Sequence, residues 1–326
     1  MKIFITGGSG YLGRNLIRGL IKRGDTVRAL ARSVSSGEVV EALGADVVAG
    51  DLNQKDALRR GMEGCDAVIH SAALVAQWGN PLDFHRVNVA GTQQVIEACQ
   101  MMAIPRLLHI STEAVLADGK PMIHVDETAP YPRKPIGLYP LTKMLAEKKV
   151  IAANSDTLKT IAVRPRLIWG NDDTVFLPAL MDIAESGGWV WFNHGHYLTA
   201  TCHVDNVVEG ALLALDKGTG GNAYFLTDGA PVEFRNFTTE IFKTQGKTLP
   251  DRSIPRRLSG WVANSSEFIV RRFNLDRDPP LTRVAVAVLS QEITLNDQKA
   301  RDELGYQSKV SREQGMADLA RRARRS

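Results

Sequence analysis

Residues 6–13 have the sequence Thr-Gly-Gly-Ser-Gly-Tyr-Leu-Gly. They follow a short apolar run, Lys2 to Thr6, and lead into an amphipathic segment, Leu12 to Arg23, which Gly24 ends. Glycines between a strand and a helix allow a tight turn and let backbone N–H groups approach a pyrophosphate at the positive end of the helix. Because this turn stands between a predicted strand and a predicted helix, it predicts dinucleotide binding; a merely structural turn is the alternative.

Further short runs rich in Val, Ile and Leu recur along the first half of the chain. Each is too short for a helix and apolar on both alternating faces, which is typical of strands buried between helix layers. The runs are Thr26 to Ala31, Asp46 to Val48, Ala67 to His70, Leu107 to Ile110 and Thr160 to Val163. Amphipathic segments separate them, so the pattern predicts an α/β fold with a doubly wound parallel sheet.

The regular alternation stops after about Arg164, where tryptophans, glycines and prolines become frequent. We therefore expect a nucleotide-binding Rossmann domain over residues 1–168, with a return segment near residues 199–226. Residues 169–326 are expected to form mainly a smaller, irregular substrate-binding region on the carboxyl side of the sheet.

The composition excludes several classes of protein. With 44% apolar and 23% charged residues in 326, the chain has the material for a large core, and a net charge of +4 does not indicate a nucleic-acid partner. Cys65, Cys99 and Cys202 are widely spaced, as expected for reduced thiols. No run approaches the ~20 apolar residues of a membrane span, and the N-terminus does not resemble a signal peptide. We expect a cytoplasmic protein.

The end of the second predicted strand indicates which nicotinamide cofactor fits, because the adenosine ribose lies there. A carboxylate at this point accepts hydrogen bonds from a free 2′-hydroxyl, whereas arginine accommodates a 2′-phosphate. The sequence has Arg32 and Ser33 and no carboxylate. It therefore predicts NADP(H) over NAD(H), the alternative being that Arg32 is an ordinary surface residue.

A tyrosine and a lysine, Tyr139 and Lys143, are four residues apart in a predicted helix, so they share one face. A free tyrosine has a pKa of ~10, and a nearby ammonium group favours the phenolate, which makes Tyr139 a usable acid or base. Upstream, Ser111 and Thr112 end a predicted strand at the edge where such sheets bind ligands. A hydroxyl there could hold a substrate carbonyl oxygen beside the Tyr139 proton.

With these motifs in order, the chain resembles the extended short-chain dehydrogenases/reductases over nearly its whole length. The matching elements are Gly7/Gly10/Gly13, Gly50-Asp51-Leu52, Ser71-Ala72-Ala73, Asn88-Val89-Ala90-Gly91-Thr92, Ser111-Thr112, Tyr139/Lys143, Arg164-Pro165 and His203-Val204-Asp205-Asn206. Within that family it is most similar to the 3β-hydroxysteroid dehydrogenase branch, particularly sterol-4-carboxylate 3-dehydrogenases and bacterial reductases of 2-alkyl-3-keto acids. The narrower resemblance rests on Ala76-Gln77-Trp78-Gly79, Ala152-Ala153-Asn154, Pro279-Pro280-Leu281-Thr282-Arg283 and residues 299–306.

The resemblance implies roles for individual residues. Tyr139 would be the catalytic acid/base, and Lys143 would hold the nicotinamide ribose and lower the pKa of Tyr139. Thr112 would take the usual serine position, with Ser111 as a substitute. The other residues implied in cofactor binding are Gly7, Gly10, Tyr11, Leu12, Gly13, Asp51, Leu52, Ser71, Ala72, Ala73, Asn88, Pro165 and Ile168. Arg32 replaces the acidic residue of NAD-using steroid enzymes, which favours reduction as the cellular direction.

The substrate side of the site is assigned to Val75, Trp78, Glu113 and Tyr197. His109 and His203 lack convergent ligand spacing, so they are interpreted as structural and no metal is expected. The stretch from Gly260 to Phe273 mixes aromatic, aliphatic and arginine residues. A helix covering the pocket is the simpler interpretation of it, and docking on a membrane surface is the alternative. The basic end, residues 321–325, is interpreted as a frayed, solvated helix terminus, with contact to an anionic membrane surface as the alternative.

These observations favour an NADPH-dependent oxidoreductase that interconverts a ketone and a secondary alcohol on a bulky apolar molecule, such as a steroid or a β-keto acid. A nucleotide-sugar epimerase or dehydratase with tightly bound NAD uses the same Tyr/Lys pair and is the first alternative. A redox sensor that binds NADP without chemistry is the second. The resemblance also implies a homodimer.

Overall fold

The computed structural model describes residues 1–273 and 278–324. Its strands, in chain order, are β1 Lys2–Thr6, β2 Thr26–Ala31, β3 Asp46–Ala49, β4 Ala67–His70, β5 Arg106–Ile110, β6 Met122–Val125, β7 Lys159–Pro165, β8 Ile168–Trp169, β9 Trp191–Phe192, β10 Leu198–Thr199, β11 Cys202–His203, β12 Asn222–Leu226, β13 Val232–Glu233, β14 Ser253–Ile254 and β15 Ile293–Leu295. Seven of them form one parallel sheet in the order β12-β7-β5-β4-β1-β2-β3.

Helices alternate with these strands. They are α1 Tyr11–Arg23, α2 Val34–Glu41, α3 Lys55–Met62, α4 Pro81–Phe84, α5 Gly91–Met101, α6 Leu138–Ala152, α7 Phe176–Glu185, α8 Val204–Lys217, α9 Phe234–Thr244, α10 Arg256–Arg272, α11 Arg283–Leu289, α12 Gln298–Leu304 and α13 Arg312–Ala323. A π-helical turn, His85–Ala90, joins α4 to α5, and 3-10 turns cover Glu113–Leu116 and Asn193–Gly195.

The core lies in two layers, one on each face of the central sheet. On β1, Ile3 and Ile5 point into the layer that α1 and α8 cover, whereas Phe4 points into the layer that α3 and α5 cover. Successive side chains of a strand alternate between faces, so a strand with helices on both sides is apolar throughout. The doubly wound parallel sheet predicted from the apolar runs is therefore confirmed.

Helix α1 shows how the local sequence produces this arrangement. Leu16, Ile17 and Leu20 share the buried face of the helix at helical spacing. Gly24 ends it with φ of +88°, a left-handed conformation that glycine adopts without steric cost. The chain then enters β2, which pairs in parallel with β1 from Lys2 opposite Thr26 onward.

The C-terminal region is more regular than the sequence indicated. Within the described residues it contributes seven helices, α7 to α13, and most of a second sheet, in the order β13-β10-β15-β6. Trp169, Trp189 and Trp191 are all buried here. Edge-to-face ring contacts, such as 5.1 Å between the centroids of Trp189 and Trp191, join them to a core of their own.

The return segment ends on β12, which pairs with β7 at the edge of the central sheet. The boundary at residue 168 stays a prediction. No helix within residues 1–273 and 278–324 is long and apolar enough to cross a membrane. Of the basic end predicted from the sequence, Arg325 lies outside the described residues.

Candidate functional site

The glycine turn between β1 and α1 requires close backbone approaches. Gly7 has φ of +74°, and a Cβ atom built on it would lie 2.6 Å from the Ala72 nitrogen. A Cβ on Gly13 would lie 2.0 Å from the Gly7 carbonyl oxygen. Gly10 is the N-cap and supplies no side-chain hydrogen bond, and no acidic residue stands in the first turn of α1. The positive end of α1 is therefore open to an anion, as a pyrophosphate requires.

The loop after β4 packs directly on this turn. The Ser71 N–H donates to the Thr6 carbonyl at 3.2 Å, and the Ala72 N–H donates to the Thr6 hydroxyl at 3.4 Å. Thr6 in turn hydrogen-bonds His70 Nδ1 at 2.7 Å. Burial lowers the pKa of His70 to about 3, so the ring is neutral. Ala73 follows in the same loop, and Tyr11 and Leu12 are the buried first residues of α1.

Asn88 connects the loop after β4 to helix α6. Its side-chain oxygen accepts from the Leu74 N–H at 2.7 Å, and its amide nitrogen donates to the Leu74 carbonyl and to the Thr142 hydroxyl. These bonds fix the helix that carries Tyr139 and Lys143 relative to the glycine turn. The sequence gives no signal for Thr142 as the acceptor of this bond from Asn88, because the two residues are 54 positions apart.

Arg32 and Ser33 lie where β2 ends and α2 begins. Arg32 is exposed, and no hydrogen bond or ion pair of its side chain is found among the described residues. The Ser33 hydroxyl caps α2 by accepting the Ser36 N–H at 3.2 Å. Asp51 and Leu52 follow β3 nearby, and the Asp51 carboxylate accepts the Asn53 N–H. The end of β2 therefore has a free guanidinium group, several hydroxyls and the N-terminus of a helix.

Thr112 lies at the carboxyl edge of the sheet, just after β5, and contacts Tyr139. Its hydroxyl donates to Glu113 Oε2 at 2.7 Å and accepts the Ala114 N–H at 3.2 Å, and it lies near enough to Tyr139 to lower the pKa of the phenol. A hydroxyl has one proton to donate, and that of Thr112 goes to Glu113. The predicted donation from Thr112 to a substrate oxygen competes with this bond. The buried Ser111 hydroxyl has no partner in the described chain, and its proton is uncommitted.

Lys143 is fully enclosed one turn from Tyr139, but its ammonium group turns toward the strand. It donates to the Ile110 carbonyl at 2.6 Å and lies 3.3 Å from His109 Nε2. Burial lowers the pKa of Lys143 to about 8, against the opposing influence of Glu147. The contact between Lys143 and the nicotinamide ribose stays a prediction.

The pKa of Tyr139 differs from the expectation. Burial, with a further contribution from the Glu113 charge, raises it, and the hydrogen bond to Thr112 lowers it by less. The expectation that Lys143 makes the phenol more acidic is wrong for this structure, because the ammonium group is bonded to Ile110 and His109. Tyr139 therefore keeps its proton at neutral pH, which suits a proton donor.

Glu113 was assigned to the substrate, and the structure places it in a buried ion pair. Its Oε1 atom accepts from the Arg166 guanidinium at 2.6 Å, while Oε2 accepts from Thr112. Arg166 also donates to the Thr199 hydroxyl and to the Val288 carbonyl. Each oxygen of the carboxylate thus already accepts a hydrogen bond from the protein, and Glu113 acts on the site through Thr112 and through its charge. The sequence signal for Arg166 is that it and Arg164 are the two charged residues within the apolar run from Ile161 to Trp169.

Replacing Glu113 with Gln tests this influence. Alcohol oxidation needs deprotonated Tyr139, so its rate rises with pH through the Tyr139 pKa. The Glu113 charge raises that pKa, hence we expect the rise in kcat for E113Q to move to lower pH. Glu113 is the charged group that acts on the phenol, and Glu113 is itself paired with Arg166. The measurement is the pH profile of kcat in the oxidative direction.

Two further variants make this result interpretable. Removing one partner of a buried ion pair costs about 3–5 kcal/mol, so the double variant E113Q/R166M keeps the test possible if E113Q unfolds. Glu267→Gln removes a buried carboxylate from the Arg283 ion pair on α10, and it should leave the profile in place. A profile unchanged in E113Q and the double variant would contradict the influence of Glu113 on Tyr139.

The remaining predicted residues are distributed as follows. Pro165 ends β7, and Ile168 pairs β8 with β11, so both border the carboxyl edge of the sheet. Val75 is 57% exposed, and the Arg271 guanidinium lies 4.7 Å from the ring centroid of Trp78. Tyr197 stacks on Phe234 and donates to the Leu289 carbonyl, so it belongs to the C-terminal core as much as to a substrate pocket.

His109 and His203 contact neighbouring side chains and backbone, as structural histidines do. His109 lies 5.3 Å from His70 between ring centroids, and burial lowers the pKa of His109 well below its ordinary value. His203 accepts the Asp205 N–H at the start of α8. Across residues 1–273 and 278–324, no three His, Cys, Asp or Glu side chains converge as a metal site would require.

The fold and this arrangement define an oxidoreductase of the short-chain dehydrogenase/reductase class. The chain belongs to the 3-beta hydroxysteroid dehydrogenase/isomerase family, whose sequence profile it matches over residues 4–256. The resemblance predicted from the motifs is confirmed. Members of this family act on CH–OH groups with nicotinamide cofactors, so the enzyme class predicted from Tyr139 and Lys143 is confirmed as well.

Similar proteins include two bacterial reductases. One is the 4-hydroxy-2-methyl-3-oxo-4-farnesyl-3,4-dihydroquinoline-1-oxide ketoreductase of Stigmatella aurantiaca, 48% identical over 98% of this chain and 96% of its own. The other is the 2-alkyl-3-oxoalkanoate reductase of Stenotrophomonas maltophilia, 33% identical over 98% of each. The crystal structure of UDP-glucuronic acid 4-epimerase from Bacillus cereus with NAD has a TM-score of 0.77 at 18% identity, covering 100% of this chain and 99% of that one, which shows the fold alone.

Proposed function

We propose that the protein reduces a ketone on a bulky apolar substrate to a secondary alcohol, with NADPH as the reductant. The observation that carries the proposal is that Thr112, Tyr139 and Lys143 meet at the carboxyl edge of the sheet, beside the open glycine turn. When bound, the nicotinamide supplies a hydride to the carbonyl carbon.

Tyr139 provides the proton in this proposal. Because burial keeps the phenol protonated at neutral pH, it can donate to the carbonyl oxygen as negative charge develops there. Thr112 lies beside the phenol and lowers its pKa slightly, and the Thr112 proton is held by Glu113. Ser111, whose proton is free, is the alternative hydroxyl for steadying the substrate oxygen. Lys143 would move from Ile110 to the cofactor ribose.

NADPH is proposed over NADH on the residues at the end of β2. The free guanidinium group of Arg32 and the N-terminus of α2 offer a 2′-phosphate a cation and a positive helix end. Neither Arg32 nor Ser33, the residues that follow β2, is a carboxylate that could accept a ribose 2′-hydroxyl. The proposed use of NADPH also argues against an epimerase or dehydratase that recycles tightly bound NAD. NAD that copurifies with the protein, without net cofactor oxidation during turnover, would support that alternative.

The substrate class is proposed from the relatives. The Stigmatella enzyme is named for a ketone on a ring system that carries a farnesyl chain, and the Stenotrophomonas enzyme for a ketone on an alkyl chain. We propose a ketone beside a long or bulky hydrocarbon group. The test is NADPH oxidation across farnesylated quinolones, 2-alkyl-3-keto acids, steroids and small aromatic ketones, where activity confined to the small ketones would contradict the proposal.

We also propose a cytoplasmic homodimer, formed through the helices that flank the active site. The buried free thiols of Cys65, Cys99 and Cys202 support a reducing compartment. Analytical ultracentrifugation of the purified protein tests the dimer, and a monomer at micromolar concentration would contradict it.

A further inference from the structure

Helix α10 presents apolar side chains to solvent. Ser259, Ala263, Glu267 and Val270 form its buried face. On the other side it exposes five large apolar residues, which we call the apolar face. They are Leu258 (53% exposed), Trp261 (75%), Val262 (47%), Phe268 (66%) and Ile269 (45%). The spacing of these residues places them on one continuous strip of the helix, where a surface helix of a globular domain has polar residues. A patch of this kind marks an interaction surface.

The charges around the apolar face have one sign. Arg257, Arg271 and Arg272 are exposed on the same side of α10. The single acidic residue of the helix, Glu267, is buried and bonded to Arg283. A surface groove beside the face is lined by Asn264, Glu267, Phe268, Arg271, Arg272 and Arg283. The exposed part of α10 therefore joins aromatic and aliphatic side chains with arginines and has no exposed carboxylate.

We propose that the apolar face of α10 docks this protein on the surface of an anionic phospholipid bilayer. Trp, Phe, Leu and Ile side chains enter the boundary between headgroups and acyl chains, while arginines bind lipid phosphates, as in helices that lie in a membrane interface. Charge complementarity favours this partner. In a symmetric dimer through α10, the arginines of one copy would face those of the other without carboxylates between them.

The same helix contacts the loop that leads from the cofactor site. The Arg271 guanidinium lies over the ring of Trp78, and the Thr282 hydroxyl, just before α11, donates to Gln77 at 3.1 Å. Docking through α10 would thus hold the loop after β4 close to the bilayer, where an apolar ketone accumulates. The idea that docking helps the enzyme take up an apolar ketone rests on the proposed function. The binding of α10 to the bilayer does not depend on that function.

Flotation of the full-length protein with lipid vesicles tests the proposal. We expect binding to vesicles that contain phosphatidylglycerol, little binding to pure phosphatidylcholine, and release at high salt. The variant L258S/W261S should weaken binding roughly tenfold or more, because each side chain contributes apolar burial. The matched control L82S/I123S removes two apolar residues of similar exposure, 76% and 64%, on α4 and β6, and should bind like the wild type.

Each outcome has a defined meaning. No flotation with anionic vesicles, or equal flotation of L258S/W261S and the wild type, would overturn the proposal. A dimer that becomes monomeric in L258S/W261S would show that a second copy covers the face, which also overturns it. NADPH oxidation with a soluble ketone in the absence of vesicles is measured alongside. If that activity is absent while the vesicles bind, the proposed function fails and the docking surface stands.

Discussion

Replacing Tyr139 with Phe is expected to lower kcat for ketone reduction by about 10³-fold, within the range of 10² to 10⁴ that a positioned general acid contributes. The phenol lies beside Thr112 at the carboxyl edge of the sheet, and burial keeps its proton in place at neutral pH. The ring of Phe keeps the packing while the proton is lost. NADPH affinity should remain within about twofold, since the proposed cofactor contacts come from other residues.

The control for this experiment is Tyr224→Phe. Tyr224 lies on β12, the edge strand of the central sheet, and donates to Glu303 at 2.6 Å. Its replacement with Phe also removes a phenolic oxygen that forms a hydrogen bond. We expect a loss of about 1 kcal/mol in unfolding free energy and unchanged kcat. Full activity in Tyr139→Phe would remove Tyr139 from the mechanism.

Replacing Arg32 with Asp is expected to reverse the cofactor preference. The variant loses a guanidinium partner for the 2′-phosphate and places a like charge beside it, so kcat/KM for NADPH should fall by about 100-fold or more. The new carboxylate can accept from the free 2′-hydroxyl of NADH, and kcat/KM for NADH should hold or rise. The measurement is the ratio of kcat/KM for the two cofactors with one ketone.

Arg60→Asp gives the matched change of charge. Arg60 is an exposed arginine of α3, outside the end of β2, and its replacement should leave the cofactor ratio unchanged. Two results would contradict the role of Arg32 in cofactor choice. One is equal kcat/KM for NADH and NADPH in the wild type, and the other is a kcat/KM ratio that Arg32→Asp does not alter. Arg32 would then be an ordinary surface residue.

The nucleotide-binding half could be predicted from the sequence because its determinants are local. Apolar runs of three to six residues predict the strands, and the spacing of Leu16, Ile17 and Leu20 predicts one face of α1. Gly7 and Gly13 are recognisable because a Cβ atom would collide with neighbouring backbone. These signals need no knowledge of distant contacts.

The C-terminal region and the electrostatics of the site depend on distant partners. Strand β10 has two residues, and its partners in β13 and β15 lie up to 94 positions away, as in Thr199 opposite Ile293. Arg166 and Glu113 are 53 residues apart. The direction in which Lys143 points is a choice among rotamers, and only the packed structure shows that the Ile110 carbonyl receives it. The pKa of Tyr139 followed from these contacts, so spacing alone predicted it incorrectly.

Transfer of a label tests the central claim most directly. Reduction of an active ketone with NADPH deuterated at C4 of the nicotinamide should place one deuterium on the carbinol carbon of the product. The wild type should do this with stoichiometric NADPH oxidation, and Tyr139→Phe should do it at the reduced rate. A converted substrate without deuterium, with the cofactor unchanged in net amount, would contradict a ketone reductase.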